Sequence, residues 1–154
     1  MPFTHIGEGF RQMANSRRRR KPKQPLILMV EDEPALLELA KSNIEDAGFA
    51  TLSAATVREA LALLEDGTAV DVLFTDINLP DWAAPPLDGL ELARRAVELH
   101  AGLPVLYTTG GSLTDGMRAL FVEGSAFLPK PYRRDDLIQA IRAAVASASS
   151  RSNG

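Results

Sequence analysis

Val70-Asp71-Val72-Leu73-Phe74-Thr75-Asp76 is a short apolar run, rich in β-branched and aromatic residues, that ends in a carboxylate. With little polar alternation it reads as a strand buried on both faces. Asp76 stands where that strand leaves the core. In an open parallel sheet, ligands bind at that carboxyl end. Asp76 is therefore the candidate reactive group, with the rest of the chain positioning partners around it.

Four other runs share the pattern. Pro25–Val30 and Phe49–Ala54 precede it, and Leu103–Thr109 and Ala126–Pro129 follow. Stretches with helical spacing lie between them. Pro34 opens the first, whose Leu36, Leu37, Leu39, Ala40 and Ile44 recur at helical intervals, and Gly48 closes it. Thr56 with Glu59 three places later is a capping-box pattern, followed by inward Val57, Ala60, Leu61 and Leu64 and a stop at Asp66-Gly67. Further helices are expected from about Asp88 to His100, more weakly from Thr114 to Phe121, and from Asp135 to Ala146. Strands alternating with helices predict one doubly wound α/β domain, with helices on both faces of a parallel sheet.

The 154 residues suffice for one core, and 45% apolar with 24% charged residues is ordinary for a globular domain. There is no cysteine, which excludes disulfides and thiolate metal sites. No apolar run approaches membrane-spanning length, and the start lacks the order of a secretory signal, so a cytoplasmic location is expected. Charge is uneven. Residues 1–24 hold seven Lys/Arg against Glu8, and residues 25–154 hold ten Lys/Arg against nineteen acids, which together give the net charge of −3. Three segments are expected: a basic, disordered arm over 1–24, a folded domain over 25–146, and a Ser-rich frayed tail over 147–154. The run 17–23 would bind nucleic acid only through charge and without sequence preference. His5 and His100 show no ligand spacing and read as surface residues.

Four strands end in polar groups suited to one site: Glu31 and Asp32, then Asp76, then Thr109, then Lys130. Carboxylates gathered this closely repel unless a positive charge intervenes. A hard divalent cation such as Mg2+ suits such oxygens, and Lys130 adds a second positive charge. A carboxylate can act as nucleophile and form an acyl phosphate. The cation and lysine would neutralise the transferred oxygens, the Thr109 hydroxyl would donate to one, and small Gly110 would let backbone N–H groups approach.

Ile27-Leu28-Met29-Val30-Glu31-Asp32-Glu33, Asp71–Pro80, Leu87-Asp88-Gly89-Leu90-Glu91-Leu92, Pro104–Gly110 and Phe127-Leu128-Pro129-Lys130-Pro131-Tyr132 together resemble the receiver domain of two-component response regulators, over about residues 25–146. The resemblance implies a flavodoxin-like fold with strand order 2-1-3-4-5. It implies that Asp76 takes a phosphoryl group from a histidine kinase or a histidine phosphotransfer protein. It further implies Mg2+ bound directly by Asp32, mainly through water by Glu31, and by Asp76 and the Asn78 backbone carbonyl. Thr109, Gly110 and Lys130 match the phosphate contacts, Phe127 the aromatic that swings inward with Thr109, and Lys130–Pro131 a cis bond. Readout would use the face made by the fourth helix, fifth strand and fifth helix, toward a downstream protein or a second copy.

This chain departs from the family pattern in places. Glu31 stands where aspartate is common, the loop Asp81–Pro86 is longer than usual and holds the only Trp, Trp82, and Gly111 replaces a bulkier residue beside the path of attacking water. The expected protein is a single-domain receiver whose only catalysis is its own phosphorylation and dephosphorylation. The alternatives are a phosphate sink or phosphorelay intermediate, a Mg2+-dependent phosphatase with an aspartyl nucleophile, and a flavin or nucleotide binder. Asn78 is a poor general acid for the phosphatase, and Glu31-Asp32-Glu33 would repel phosphate in the nucleotide binder.

Overall fold

A computed structural model describes residues 24–80 and 87–152. The expectations for residues 17–23, His5, Trp82 and the loop Asp81–Pro86 lie outside the described residues. Among the described residues, five strands alternate with five helices: β1 Leu26–Val30, α1 Pro34–Asp46, β2 Ala50–Ala54, α2 Val57–Glu65, β3 Val72–Asp76, α3 Gly89–Leu99, β4 Val105–Thr109, α4 Asp115–Ala119, β5 Ala126–Pro129 and α5 Arg134–Ser152. The strands form one parallel sheet in the order β2-β1-β3-β4-β5.

Side-chain alternation splits the core into two layers. Ile27, Met29, Val72, Phe74 and Leu106 face α1 and α5, meeting Ala40, Ile44, Leu137 and Ile141. Leu28, Val30, Leu73, Val105 and Tyr107 face the other way, against Val57, Leu61 and Leu64 of α2 and Leu92, Ala93 and Ala96 of α3. All residues of β3 and β4 are buried, as expected for central strands covered on both sides. β3 begins at Val72 rather than Val70. Asp71 turns its carboxylate to accept the Leu26 N–H at 2.7 Å, tying the start of β3 to that of β1.

Capping follows the local signals, with one shift. Thr56 accepts from the Glu59 N–H, and the Glu59 carboxylate reaches back to the Ala55 N–H at 2.9 Å, one residue before the cap. Asp88 caps α3 by accepting from the Glu91 N–H. Gly48, just past α1, has φ +100, a conformation that excludes a β-carbon at low cost.

Three expectations need correction. The last helix does not end at Ala146 but runs to Ser152, because residues 147–152 contain neither Pro nor Gly to stop it. Leu39 is 59% exposed, since Ala40 and Ile44 fill the stripe of α1 that meets the sheet. His100 is half-buried rather than a surface residue, with its Nε2 3.0 Å from the Leu64 carbonyl oxygen.

Candidate functional site

The strand register sets the site. Val30 pairs with Thr75, Asp76 with Thr108, and Thr109 with Pro129. Glu31, Asp76, Thr109, Gly110 and Lys130 therefore emerge at one level along the carboxyl rim. β2 lies beyond β1 at the sheet edge and contributes none of them. The centre of the site falls between β1 and β3, where the chain order reverses and a crevice opens.

Asp76 is 5% exposed, and both its oxygens are occupied. Oδ1 accepts from the Asn78 N–H at 3.0 Å and Oδ2 from Lys130 Nζ at 2.6 Å. The same ammonium lies 2.5 Å from Glu31 Oε1. Glu31 Oε2 accepts from the Glu33 N–H at 3.2 Å. Asp32 is exposed beside them, and oxygens of Glu31, Asp32 and Asp76 all lie within 4.8 Å of one another. At that separation, two carboxylates repel by about 3 to 4 kcal/mol even at an effective dielectric of about 20. Lys130 offsets part of this. Burial raises the Glu31 pKa, and this outweighs the lowering by its Lys130 hydrogen bond. Burial also works against the Lys130 charge, yet hydrogen bonds to Asp76 and Glu31 hold its pKa above the usual lysine value.

The donor set is three carboxylates, all oxygen, with Asp32 open to solvent. That fits a hard divalent cation such as Mg2+, which keeps waters, better than a softer metal.

Thr109 is buried, and its Oγ1 accepts from Asn78 Nδ2 at 2.8 Å and from the Gly111 N–H at 3.2 Å. The Lys130–Pro131 peptide is cis. Phe127 is half-buried, 6.1 Å between centroids from Phe121, which itself stacks on Tyr107 at 4.2 Å. The Arg118 guanidinium stands 5.9 Å over the Phe127 ring. Beside Lys130 a groove of 360 Å3 is lined mainly by Leu36, Leu39, Ala40, Pro131 and Tyr132.

Packing makes different demands on two glycines near the site. A β-carbon on Gly110 would make only ordinary contacts, 3.8 Å from Lys130 Cβ and Cδ, so packing does not demand glycine there. Gly89, not singled out for the site, carries such a demand. It is buried at the start of α3, its N–H donates to Ile77 O, and a β-carbon would run into the Asp76 carbonyl oxygen. The available signal was a glycine directly after an N-cap aspartate, where a better helix former is normally favoured.

Comparison with known proteins agrees with this fold. The family model described as the response regulator receiver domain matches residues 27–142. The transcriptional regulatory protein TrcR of Mycobacterium tuberculosis is 34% identical over 117 residues, 75% of this chain and 43% of that protein. The C4-dicarboxylate transport transcriptional regulatory protein DctD of Rhizobium meliloti is 32% identical over 121 residues, 78% of this chain and 25% of that protein. The chain thus spans less than half the length of these curated relatives. A response regulator receiver protein from Sinorhizobium medicae superposes with a TM-score of 0.75 at 29% identity, covering 83% of this chain and 99% of that one. Among the described residues, no helix is long and apolar enough to cross a membrane.

Proposed function

The chain belongs to the response regulator receiver domain family, and on that premise we propose that Asp76 accepts a phosphoryl group from a histidine kinase or histidine phosphotransfer protein and that this switches binding to a partner. The observation that carries the reading is Lys130 joined to both Glu31 and Asp76, with Asp32 alongside. This arrangement gathers negative charge around one buried carboxylate and keeps a cation against it.

In the proposed reaction an Asp76 carboxylate oxygen attacks phosphorus as the bond from phosphorus to the donor nitrogen breaks, leaving an acyl phosphate. Glu31, Asp32 and Asp76, with the Asn78 backbone carbonyl, are the residues that would hold Mg2+, which supplies neutralisation of the transferred oxygens. Lys130 would take a phosphoryl oxygen in exchange for part of its present pairing with Glu31 and Asp76. Thr109 supplies a hydroxyl donor, and the Gly110 segment leaves space beside Lys130. The groove bordered by Leu36, Leu39 and Tyr132 gives the donor protein an apolar surface next to the reacting atoms.

Readout is assigned to the face of α4, β5 and α5. There α4 buries none of its residues, Leu120 is 64% exposed and β5 is an edge strand, so little packing resists movement of α4. Thr109 belongs to the site and Phe127 to β5 of that face, so in this reading the pair would link the two. The partner would be a downstream protein or a second copy of this chain, in the cytoplasm.

Phosphoramidate, whose phosphorus–nitrogen bond mimics phosphohistidine, tests the reading. The expected result is labelling that needs Mg2+, falls sharply in Asp32→Asn and vanishes in Asp76→Asn. Labelling that ignores both substitutions and the metal would remove Asp76 from the role.

A further inference from the structure

Asn78 reaches two groups of the site at once. Its backbone N–H donates to Asp76 Oδ1 at 3.0 Å, and its side-chain Nδ2 donates to Thr109 Oγ1 at 2.8 Å. The Gly111 N–H donates to the same hydroxyl at 3.2 Å. A threonine hydroxyl has two acceptor lone pairs and one proton. Here both lone pairs are engaged by donors from residues 78 and 111, so the proton is directed away from them. Thr109 is 2% exposed, which limits competition from water for that geometry.

Gly111 is part of the arrangement. Its φ is not among the positive ones, so the backbone itself does not call for glycine. Space does: a β-carbon would lie 3.1 Å from Asn78 Nδ2 and 3.7 Å from Thr109 Oγ1. The first distance is tighter than ordinary packing, so a side chain at 111 would press the carboxamide off the hydroxyl.

We infer that the Asn78 carboxamide, seated against bare Gly111, is a positioning group that fixes the Thr109 hydroxyl so that its one proton is presented to a phosphoryl group arriving on Asp76. This rests on the reading of Asp76 as phosphoacceptor. Asn78 acts through Thr109, and its side chain does not itself touch the phosphoryl oxygens.

A double-mutant cycle distinguishes these routes. The rate constant for labelling by acetyl phosphate is measured at saturating Mg2+ in wild type, Asn78→Ala, Thr109→Val and the double variant. Asn78→Ala is expected to slow labelling by roughly 3- to 10-fold, the scale of one oriented hydrogen bond. Thr109→Val is expected to slow it more, and adding Asn78→Ala to Thr109→Val is expected to change nothing further. In a Thr109→Ser background the hydroxyl remains, and Asn78→Ala regains its effect.

Gly111→Ala provides the same comparison with Asn78 in place, should Asn78→Ala fold poorly. It is expected to match Asn78→Ala and to add nothing to it. Equal slowing by Asn78→Ala with and without the Thr109 hydroxyl overturns the proposal, as does no slowing in wild type. Absence of any labelling in wild type would instead fault the reading of Asp76. The contact is then tested in the unphosphorylated protein by NMR. Thr109→Val must shift the Asn78 side-chain amide signals, and unmoved signals overturn the proposal.

Discussion

Gly89 leaves no room for a β-carbon beside Asp76: one built there would strike the Asp76 carbonyl oxygen and lie 2.9 Å from Ile77 Cα. The start of α3 is thereby pressed against the backbone that carries the candidate phosphoacceptor, with the Gly89 N–H donating to Ile77 O at 2.9 Å.

This contact fixes the sign of one substitution. Helix propensity alone would have Gly89→Ala stabilise by up to ~1 kcal/mol. The backbone collision outweighs that, and a loss of more than about 3 kcal/mol is expected, at or beyond the upper end of ordinary overpacking. Urea unfolding measures it. A variant as stable as wild type would mean that α3 stands further from Asp76 than described.

Lys130→Met leaves Glu31 and Asp76 facing each other without their ammonium. All three side chains are at most 16% exposed. Removing one partner of a buried pair costs about 3–5 kcal/mol, and about 2–3 kcal/mol is expected here because some solvent reaches the group. The loss should be greatest in EDTA. Added Mg2+ should recover more stability in the variant than in wild type, since it would then be the sole neutralising charge. Thermal melts in the two buffers make the comparison, and equal recovery would count against a shared cation site.

The face of α3 away from the sheet predicts a separate pH dependence. Glu91 pairs with Arg94 and Arg95, and chiefly the Arg94 hydrogen bond lowers its pKa from 4.5 to about 2. A depressed carboxylate pKa stabilises the fold above 4.5, and that contribution drains away as pH falls from 4.5 toward 2. The pairs are exposed, so the effect should stay below ~1 kcal/mol and shrink in high salt. Denaturant midpoints of wild type and Glu91→Gln should differ at pH 6 and converge by about pH 2. A gap independent of pH would contradict the pairing.

Much of the arrangement was legible because its signals are local. β5 matches the run Ala126–Pro129, since bounded apolar residues leave little choice. Thr56 caps α2 as its pairing with Glu59 announces, and Asp88 and Thr114, where two further helices were expected to start, cap α3 and α4. Glu31, Asp76 and Lys130 converge because parallel strands deliver their ends to one rim. What escaped was set by tertiary approach. Gly89 is required by the carbonyl of Asp76, thirteen residues earlier in the chain. The Asn78 side chain finds Thr109 across two neighbouring strands, a contact invisible to periodicity. Leu39 fits a helical spacing yet misses the buried stripe, because only the sheet decides which side of α1 is inward.

Treatment with acetyl phosphate and Mg2+, followed by intact mass and by borohydride reduction to mark the esterified residue, tests the central claim most directly. One added phosphoryl group, located at residue 76 and absent from Asp76→Asn, is the expected result. A phosphoryl group on another residue, an equal mass gain in Asp76→Asn, or an unmodified protein beside a receiver that labels normally, would contradict it.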